Sequence, residues 1–395
     1  MALLLVWCAV ALGLAPGAAG AESGRDPAPG VSYRSFETTG AHGRVRVHLL
    51  SVDLRRKGVE VGLLYPGVVA ARAPLSRLAN ARGAVAGING DFFHLSETQH
   101  SGVEATGAPV GPAVADGREL KAAVPRGQRF GPRLPPGTGT REVFGLGTDH
   151  RARMGRLVLD GSVDGPEGSF PLGGLNQYAL PVGSVGVFTA AWGRASRLRA
   201  VCGTDTDRGA PCARETYEVT VRAGRVVAVA EGPGRGPVAK DTEVLVGREE
   251  GARRLRALAV GDRVRVRHRL VAEGSRVPYR FAIGGHPLLR DGAPATGLDD
   301  VTPAVRTAAG ITDGGRGVLL MALDGSRGLG RGLTLAEVAA LLAKAGARDG
   351  FNLDGGGSST LVARAAGETS VTVRNHPSGG VERPVPNGIG VFSRG

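Results

Sequence analysis

Phe351-Asn352-Leu353-Asp354-Gly355-Gly356-Gly357-Ser358-Ser359-Thr360-Leu361 is the stretch around which the chain is organised. Its apolar, strand-like lead-in delivers an amide and a carboxylate, Asn352 and Asp354, at the two-residue spacing that points both to one side of a strand. Gly355, Gly356 and Gly357 then permit positive φ and close approach of a ligand to bare backbone, where successive N–H groups form an anion-binding nest. Ser358, Ser359 and Thr360 add hydroxyls. A carboxylate, a nest and hydroxyls in one turn suit a ligand that is part phosphate and part sugar; the alternative is a glycine-rich turn with no ligand. The glycine spacing, with no Lys behind it, excludes a P-loop.

Working outward, Gly317 to Leu323 reads as a buried strand that ends on another carboxylate, Asp324, before Gly325. The helix between them is announced by Thr334 and Glu337 in capping-box spacing. Leu335, Val338, Leu341, Leu342 and Ala345 share its apolar face, and Gly346 stops it. Ala304 to Ile311 reads as a strand carrying Arg306 and Thr307. A guanidinium in an apolar strand needs an anion, and bidentate phosphate binding supplies one. His286, after Gly284-Gly285, is either structural or a proton-transfer group in a turn open to ligand.

Far upstream, the buried strand Gly83 to Asn89 runs into Asn89-Gly90-Asp91-Phe92-Phe93-His94. Asn-Gly usually marks a hairpin turn, yet Asp91 beside two bulky aromatics also suits a strand-end site. Arg44 to Val52 and Gly58 to Leu64 alternate apolar and polar residues and read as paired strands. Pro74 to Asn80 and Arg248 to Leu258 are expected as short helices, and Pro386-Asn387-Gly388 leads into a last strand. Residues 97–139 form a Gly/Pro-rich loop, either a flap over a site or a poorly ordered segment. From Arg141 to Glu273 short strands follow one another; there Asn176, Gln177 and Trp192 belong either to a pocket wall or to the core.

The 395 residues carry a formal charge of +13, almost all from arginine, with lysine only at 57, 121, 240 and 344. The arginines are scattered without aromatic interleaving, so nucleic acid is not the expected partner; anionic wall polymers or phosphorylated glycans suit the basic surface better. Sixty-five glycines without a collagen period, and only 4% aromatic residues, point to short strands and tight turns around a Val/Leu/Ala core. Ala2 to Leu14 is an apolar run followed by small residues, as in a secretory signal peptide cleaved after Ala21. It is too short for a transmembrane helix, so stable membrane insertion is not expected. Its removal leaves Cys202 and Cys212, for which a disulfide is expected in an exported protein.

With these residues assembled, the chain resembles the phosphodiester glycosidase family, in its secreted form. The resemblance rests on Gly87-Ile88-Asn89-Gly90-Asp91-Phe92-Phe93, Ile283-Gly284-Gly285-His286-Pro287-Leu288, Arg306-Thr307-Ala308-Ala309-Gly310, Leu323-Asp324-Gly325 and Asn352 to Thr360, with Asn387 before the last strand. His286 stands where a small residue is common in the family, and Val305 where Pro often precedes Arg-Thr. The middle segment lies outside these motifs and reads as an elaboration of actinobacterial type. The resemblance implies an α+β fold, with a mixed β-sheet core and few helices, and hydrolysis of a sugar-1-phosphodiester to free sugar and phosphomonoester.

The expected organisation is a signal peptide (1–21), a leader (22–43), the N-terminal part of the core (44–140), a β-rich inserted lobe (141–275) and the C-terminal part with the main motifs (276–395). Asp354 and Asp91 are the expected nucleophile or general base, in the two-carboxylate logic of glycosidases. Asp324 would orient them, with His286 as an acid. Arg306 and the backbone of Gly355, Gly356, Gly357 and Ser358 would hold the phosphate. Asn89, Gly90, Thr307, Asn352, Ser359, Thr360 and Asn387 would line the substrate site. No cofactor is expected, although an oxygen-rich aspartate set also suits a divalent cation. The competing classes are a non-catalytic module binding phosphorylated wall glycan and a metal-dependent phosphodiesterase. The expected location is extracellular or in the cell envelope.

Overall fold

A computed structural model describes residues 26–325 and 331–394; the expected signal peptide lies outside them. The described chain is predominantly β-sheet, its strands forming a nearly closed, barrel-like arrangement, with three short α-helices. The expectation of an α+β fold with a mixed sheet therefore holds only in its coarse form. Helices are few because the strand pairings are almost all antiparallel, and antiparallel neighbours need no helical crossover. Among the described residues just one strand pairing, Gly174–Leu175 with Val185–Phe188, is parallel.

Two sheets carry the motifs. In one, the order is Val31–Gly40, Gly43–Asp53, Gly317–Leu323, Thr307–Thr312, Asp349–Leu353, His286–Arg290 and Ala293–Pro294. In the other it is Val371–Val373, Leu361–Arg364, Ala86–Asn89, Gly388–Ser393 and Val59–Leu64. Gly43–Asp53 and Val59–Leu64 are both strands, but they do not pair with each other. The first lies between Val31–Gly40 and Gly317–Leu323, while the second pairs with Gly388–Ser393. The reason is visible in burial: Val47 to Leu50 are buried on both faces, which a hairpin with one wet face does not allow.

The helix Leu335–Lys344 covers the outer face of the first sheet. Its capping box is complete, Thr334 Oγ1 accepting from Glu337 N and Glu337 returning to Thr334 N. Val338, Ala339 and Leu342 bury its stripe against Leu49, Leu288 and Met321. Helix Leu75–Arg82 plays the same part on the second sheet. Between the sheets, Leu50, Ile88, Ile283, Leu320, Phe351, Leu353 and Ile389 share the largest core.

A third sheet joins Glu142–Gly147 and Ala152–Gly165 to Tyr279–Gly284 and Ala113–Ala115, so the middle of the chain shares hydrogen bonds with both flanks. A fourth, with helix Glu250–Arg256 against it, holds Val185–Phe188, Thr216–Arg222, Arg225–Ala230 and Thr242–Arg248. Cys202 and Cys212 are joined by a disulfide. Trp192 is core, packed edge-on against Phe188.

Residues 97–139 are neither a bare flap nor structureless. Buried Glu97 gathers His94, His100 and Arg199, and Arg199 in turn bonds Gln128 and the Cys202 carbonyl. The stretch is thereby pinned to the disulfide loop and stands as a wall beside the first motif. Among the described residues, no helix is long and apolar enough to cross a membrane.

Candidate active site

The two sheets bring Asn89-Gly90-Asp91 and Asn352 to Thr360 together at their strand ends, and backbone hydrogen bonds lock them. Asp354 N donates to Gly90 O (2.8 Å), and Asn89 Nδ2 to Asp354 O (2.6 Å). Asn89 Oδ1 accepts from Thr307 Oγ1 (2.9 Å) and Thr360 N (3.0 Å), and Thr307 is bonded in turn to Ser359 Oγ. Asn89, Thr307 and Ser359 are thus a clamp that ties the strand ends together. Gly90 is required by crowding: a Cβ there would stand 2.3 Å from Ile283 and 2.5 Å from Asn387 Oδ1. Asn387 accepts from Asp91 N (2.9 Å) and Gly90 N (3.0 Å), which fixes the turn carrying Asp91.

Asp91 is buried. Its Oδ2 accepts from Gly111 N (2.6 Å), while Oδ1 has no partner among the described residues. Burial raises its pKa, against the opposing charge of Lys121. Asp354 keeps some exposure at the mouth, yet desolvation pushes it up to about 7, against a hydrogen bond from Ser358 and the charge of Arg383. The charge of Asp91 also raises it.

Further unpaired buried atoms lie on the same wall: both amide atoms of Asn352, both ring nitrogens of His286, and Thr360 Oγ1. His286 and Asn352 are register partners on adjacent strands, and the His286 ring stacks on Phe92, the neighbour of Asp91. Buried polar atoms are nearly always satisfied, so such a group marks a place for ligand hydroxyls or ordered water. The burial of His286 weighs against the expected acid role. Burial, with Arg129 and Arg306 nearby, pushes its pKa down to about 3, so it has no proton to give near neutrality.

Three other expectations change in form. Part of the glycine turn's backbone is already engaged: the N–H groups of Gly356, Ser358, Ser359 and Thr360 donate to Val305 O, Gly355 O, Gly356 O and Asn89 Oδ1. Arg306 meets carbonyls instead of a carboxylate, through Nε to Leu333 O (3.1 Å) and Nη2 to Thr302 O (2.8 Å). Asp324 has its oxygens occupied by His48 Nε2 (2.9 Å), His376 N (2.7 Å) and His376 Nδ1 (3.2 Å), which hold its pKa down. It anchors the segment around His376 beside the glycine turn, where Ser378 Oγ donates to Gly356 O.

Sequence reasoning missed Arg383, Arg72, Arg129 and Lys121. Arg383 reaches Ser358 Oγ (3.3 Å) and crowds Gly357, and it repels Arg72, which lies over the Phe93 ring. Arg129 lies over Phe92 within the field of Asp91. Among the described residues none of these three arginines forms an ion pair with a carboxylate within salt-bridge distance. Arg383 bears on Asp354 and on Arg72, and Arg129 bears on Asp91; guanidiniums without a carboxylate partner beside the two carboxylates suit an anionic ligand. The one available signal was position: Arg383 lies four residues before Asn387, just ahead of the last motif. Among the described residues no group of three His, Cys, Asp or Glu side chains is placed to hold a metal ion.

The fold is shared with solved structures. A hypothetical protein from Synechocystis matches with TM-score 0.70 and 21% identity, over 93% of this chain and 62% of its own. The chain therefore spans less than two thirds of that protein. A candidate exported protein from Burkholderia pseudomallei matches with TM-score 0.65 and 25% identity, over 88% and 74%. The zebrafish N-acetylglucosamine-1-phosphodiester alpha-N-acetylglucosaminidase catalytic domain, auto-inhibited by its pro-peptide, gives TM-score 0.47 and 17% identity over 95% and 87%. No curated protein sequence matches. The family model for phosphodiester glycosidase matches residues 215–392, which takes in every motif from Ile283 to Asn387. Over residues 215–392 the chain is similar to the phosphodiester glycosidase family.

Proposed function

We propose that the chain cleaves the C1–O bond of a sugar-1-phosphodiester, leaving free sugar and a phosphomonoester, and that it acts on phosphorylated glycans outside the cell or in its envelope. The observation that carries this reading is the pairing of two perturbed carboxylates, Asp354 and Asp91, with Arg383 bearing on the first and Arg129 on the second. The basic net charge and the exported description of the Burkholderia relative support the location.

The leaving group decides how the residues divide the work. A phosphomonoester has a second pKa near 6, so it departs without a proton donor. A site lacking a protonated acid is therefore adequate. Asp354, accessible and tuned to about 7, is the base for water or the nucleophile at C1. Asp91, ionised, stabilises the positive charge that develops on the sugar ring. Arg383 holds the phosphate, assisted by the field of Arg306, and the unpaired atoms of Asn352, His286 and Thr360 meet sugar hydroxyls.

This division predicts an unusual pH profile. Activity should rise as Asp354 ionises, with a midpoint near 7, and then stay level, in contrast to the bell of a glycosidase with a catalytic acid. The test is sugar release from a panel of nucleotide sugars and aryl sugar-phosphates, with plain aryl glycosides as controls. Turnover of phosphodiesters alone, unchanged by chelator, is the expected result. Release from plain glycosides, or solvent ¹⁸O appearing in the phosphate, would reject it.

A further inference from the structure

Lys121 is the one lysine of the chain that is fully buried. It ends the strand Arg118–Lys121, and its ammonium donates to three carbonyls: Val110 O (3.2 Å), Gly111 O (2.5 Å) and Ala122 O (2.5 Å). An ammonium has three N–H donors, whereas a neutral amine has two and a lone pair that would face an oxygen. Three acceptors around one nitrogen therefore specify the charged form. A charge so buried needs a counter-charge, and among the described residues none lies within salt-bridge distance of it. The carboxylate whose field it feels is Asp91.

The connection runs through a single peptide group. Val110 C=O, which accepts from Lys121, and Gly111 N–H, which donates to Asp91 Oδ2 at 2.6 Å, belong to the same amide. Pulling electron density toward the carbonyl oxygen makes the N–H a stronger donor, as hydrogen bonds in a chain polarise one another. That amide is held in place: Val110 N donates to Phe92 O, next to Asp91, and Val124 N donates to Val110 O. Space is equally tight, since a Cβ on Gly284 would stand 2.5 Å from Asp91 Oδ2 and 2.6 Å from Gly111 Cα. The arrangement leaves Asp91 Oδ1 alone facing the site.

We propose that Lys121 is the positioning residue that keeps Asp91 a carboxylate, acting through the Val110–Gly111 amide without touching substrate. The inference rests on the reading of Asp91 as a site carboxylate but not on the identity of the substrate. The other groups whose charge bears on Asp91 are Arg129, on the segment over Phe92, Asp354 across the mouth, and the buried hydroxyl of Tyr178. Arg129 acts in the same direction as Lys121 and Asp354 against it. Neutral Tyr178 contributes little.

The test uses the full chain with ¹³C-labelled aspartate and ¹⁵N-labelled lysine. In Lys121→Met the Asp91 carboxyl, assigned by its loss in Asp91→Asn, should titrate at least about one unit higher than in wild type, a tenfold change in proton affinity. The Asp354 carboxyl should move less. In Asp91→Asn, Lys121 should lose its ammonium signal at lower pH than in wild type. This reciprocal arm holds even if Lys121→Met fails to fold. Where sugar release is measurable, Lys121→Met should move the rise in kcat/KM to higher pH and recover activity there. An unmoved Asp91 titration, an unmoved Lys121 titration in Asp91→Asn, or a uniform loss at every pH would overturn the proposal. Absence of turnover in wild type would count against the proposed reaction and leave both titrations to decide this one.

Discussion

Asp354→Asn is expected to lower kcat/KM for sugar-1-phosphodiesters by about 10³-fold, within the range that a positioned base contributes. The same change should make the protein more stable. The bonds that lock this turn, Asp354 N to Gly90 O and Asn89 Nδ2 to Asp354 O, are made by backbone atoms of residue 354 and survive the substitution. What disappears is a carboxyl whose folded pKa is about 7 against an ordinary 3.8. Between those values the folded state binds a proton that the unfolded state has released, so stability falls as pH rises through the window. Asparagine removes that penalty. Tm should therefore rise, most clearly at pH 8, and the gain should fade toward pH 4, as scanning calorimetry at several pH values would show. A binding module in place of an enzyme would show the same stabilisation with affinity for phosphorylated glycan kept or improved. Loss of activity together with loss of stability would place Asp354 in the framework instead of the chemistry.

The motif stretches were legible because each couples a strand pattern with a turn whose residues have few other uses. Asn89-Gly90-Asp91 and Asn352 to Thr360 were recognisable as strand ends, and the structure joins them. The capping box at Thr334 and Glu337 named the helix start to the residue. What the motifs could not convey was how each polar group is employed. Thr307 and Ser359 read as ligand hydroxyls, but Thr307 bonds both Asn89 and Ser359, and His286 read as an acid because depth is not written in a sequence. Arg383, Arg72 and Arg129 were lost among many arginines, since only folding shows which of them lack a carboxylate. Lys121 was invisible for a related reason: a single lysine in a loop-rich stretch gives no sign that three carbonyls await it. Strand pairing failed where it is least local, as with Gly43–Asp53, whose partners include Gly317–Leu323 far along the chain.

Asn89→Asp, a change of one atom, should destabilise the protein by about 3–5 kcal/mol near neutral pH, the cost of an uncompensated buried charge. Asn89 is fully buried and uses its amide in both senses, donating to Asp354 O at 2.6 Å and accepting from Thr307 Oγ1 and Thr360 N. An ionised carboxylate retains the two accepted bonds but sets an oxygen against the Asp354 carbonyl. Protonation restores a donor at that atom, so the new carboxyl holds a proton more tightly in the folded state than its ordinary value near 3.9. The sign follows from linkage: the folded state binds the extra proton, so the variant loses stability relative to wild type as pH rises above about 4. Denaturant midpoints should then converge with those of wild type in acid and diverge toward neutrality. Asn89→Ala supplies the contrast, because it forfeits all three bonds and gains nothing from a proton. It should be weaker by about 2–4 kcal/mol at every pH, the cost of leaving buried partners unsatisfied. Because the clamp sets the distance between the Asp91 and Asp354 turns, both variants should lose activity even where they remain folded. A pH-independent deficit in Asn89→Asp would mean that Asp354 O has found another donor and that the two turns are held together some other way.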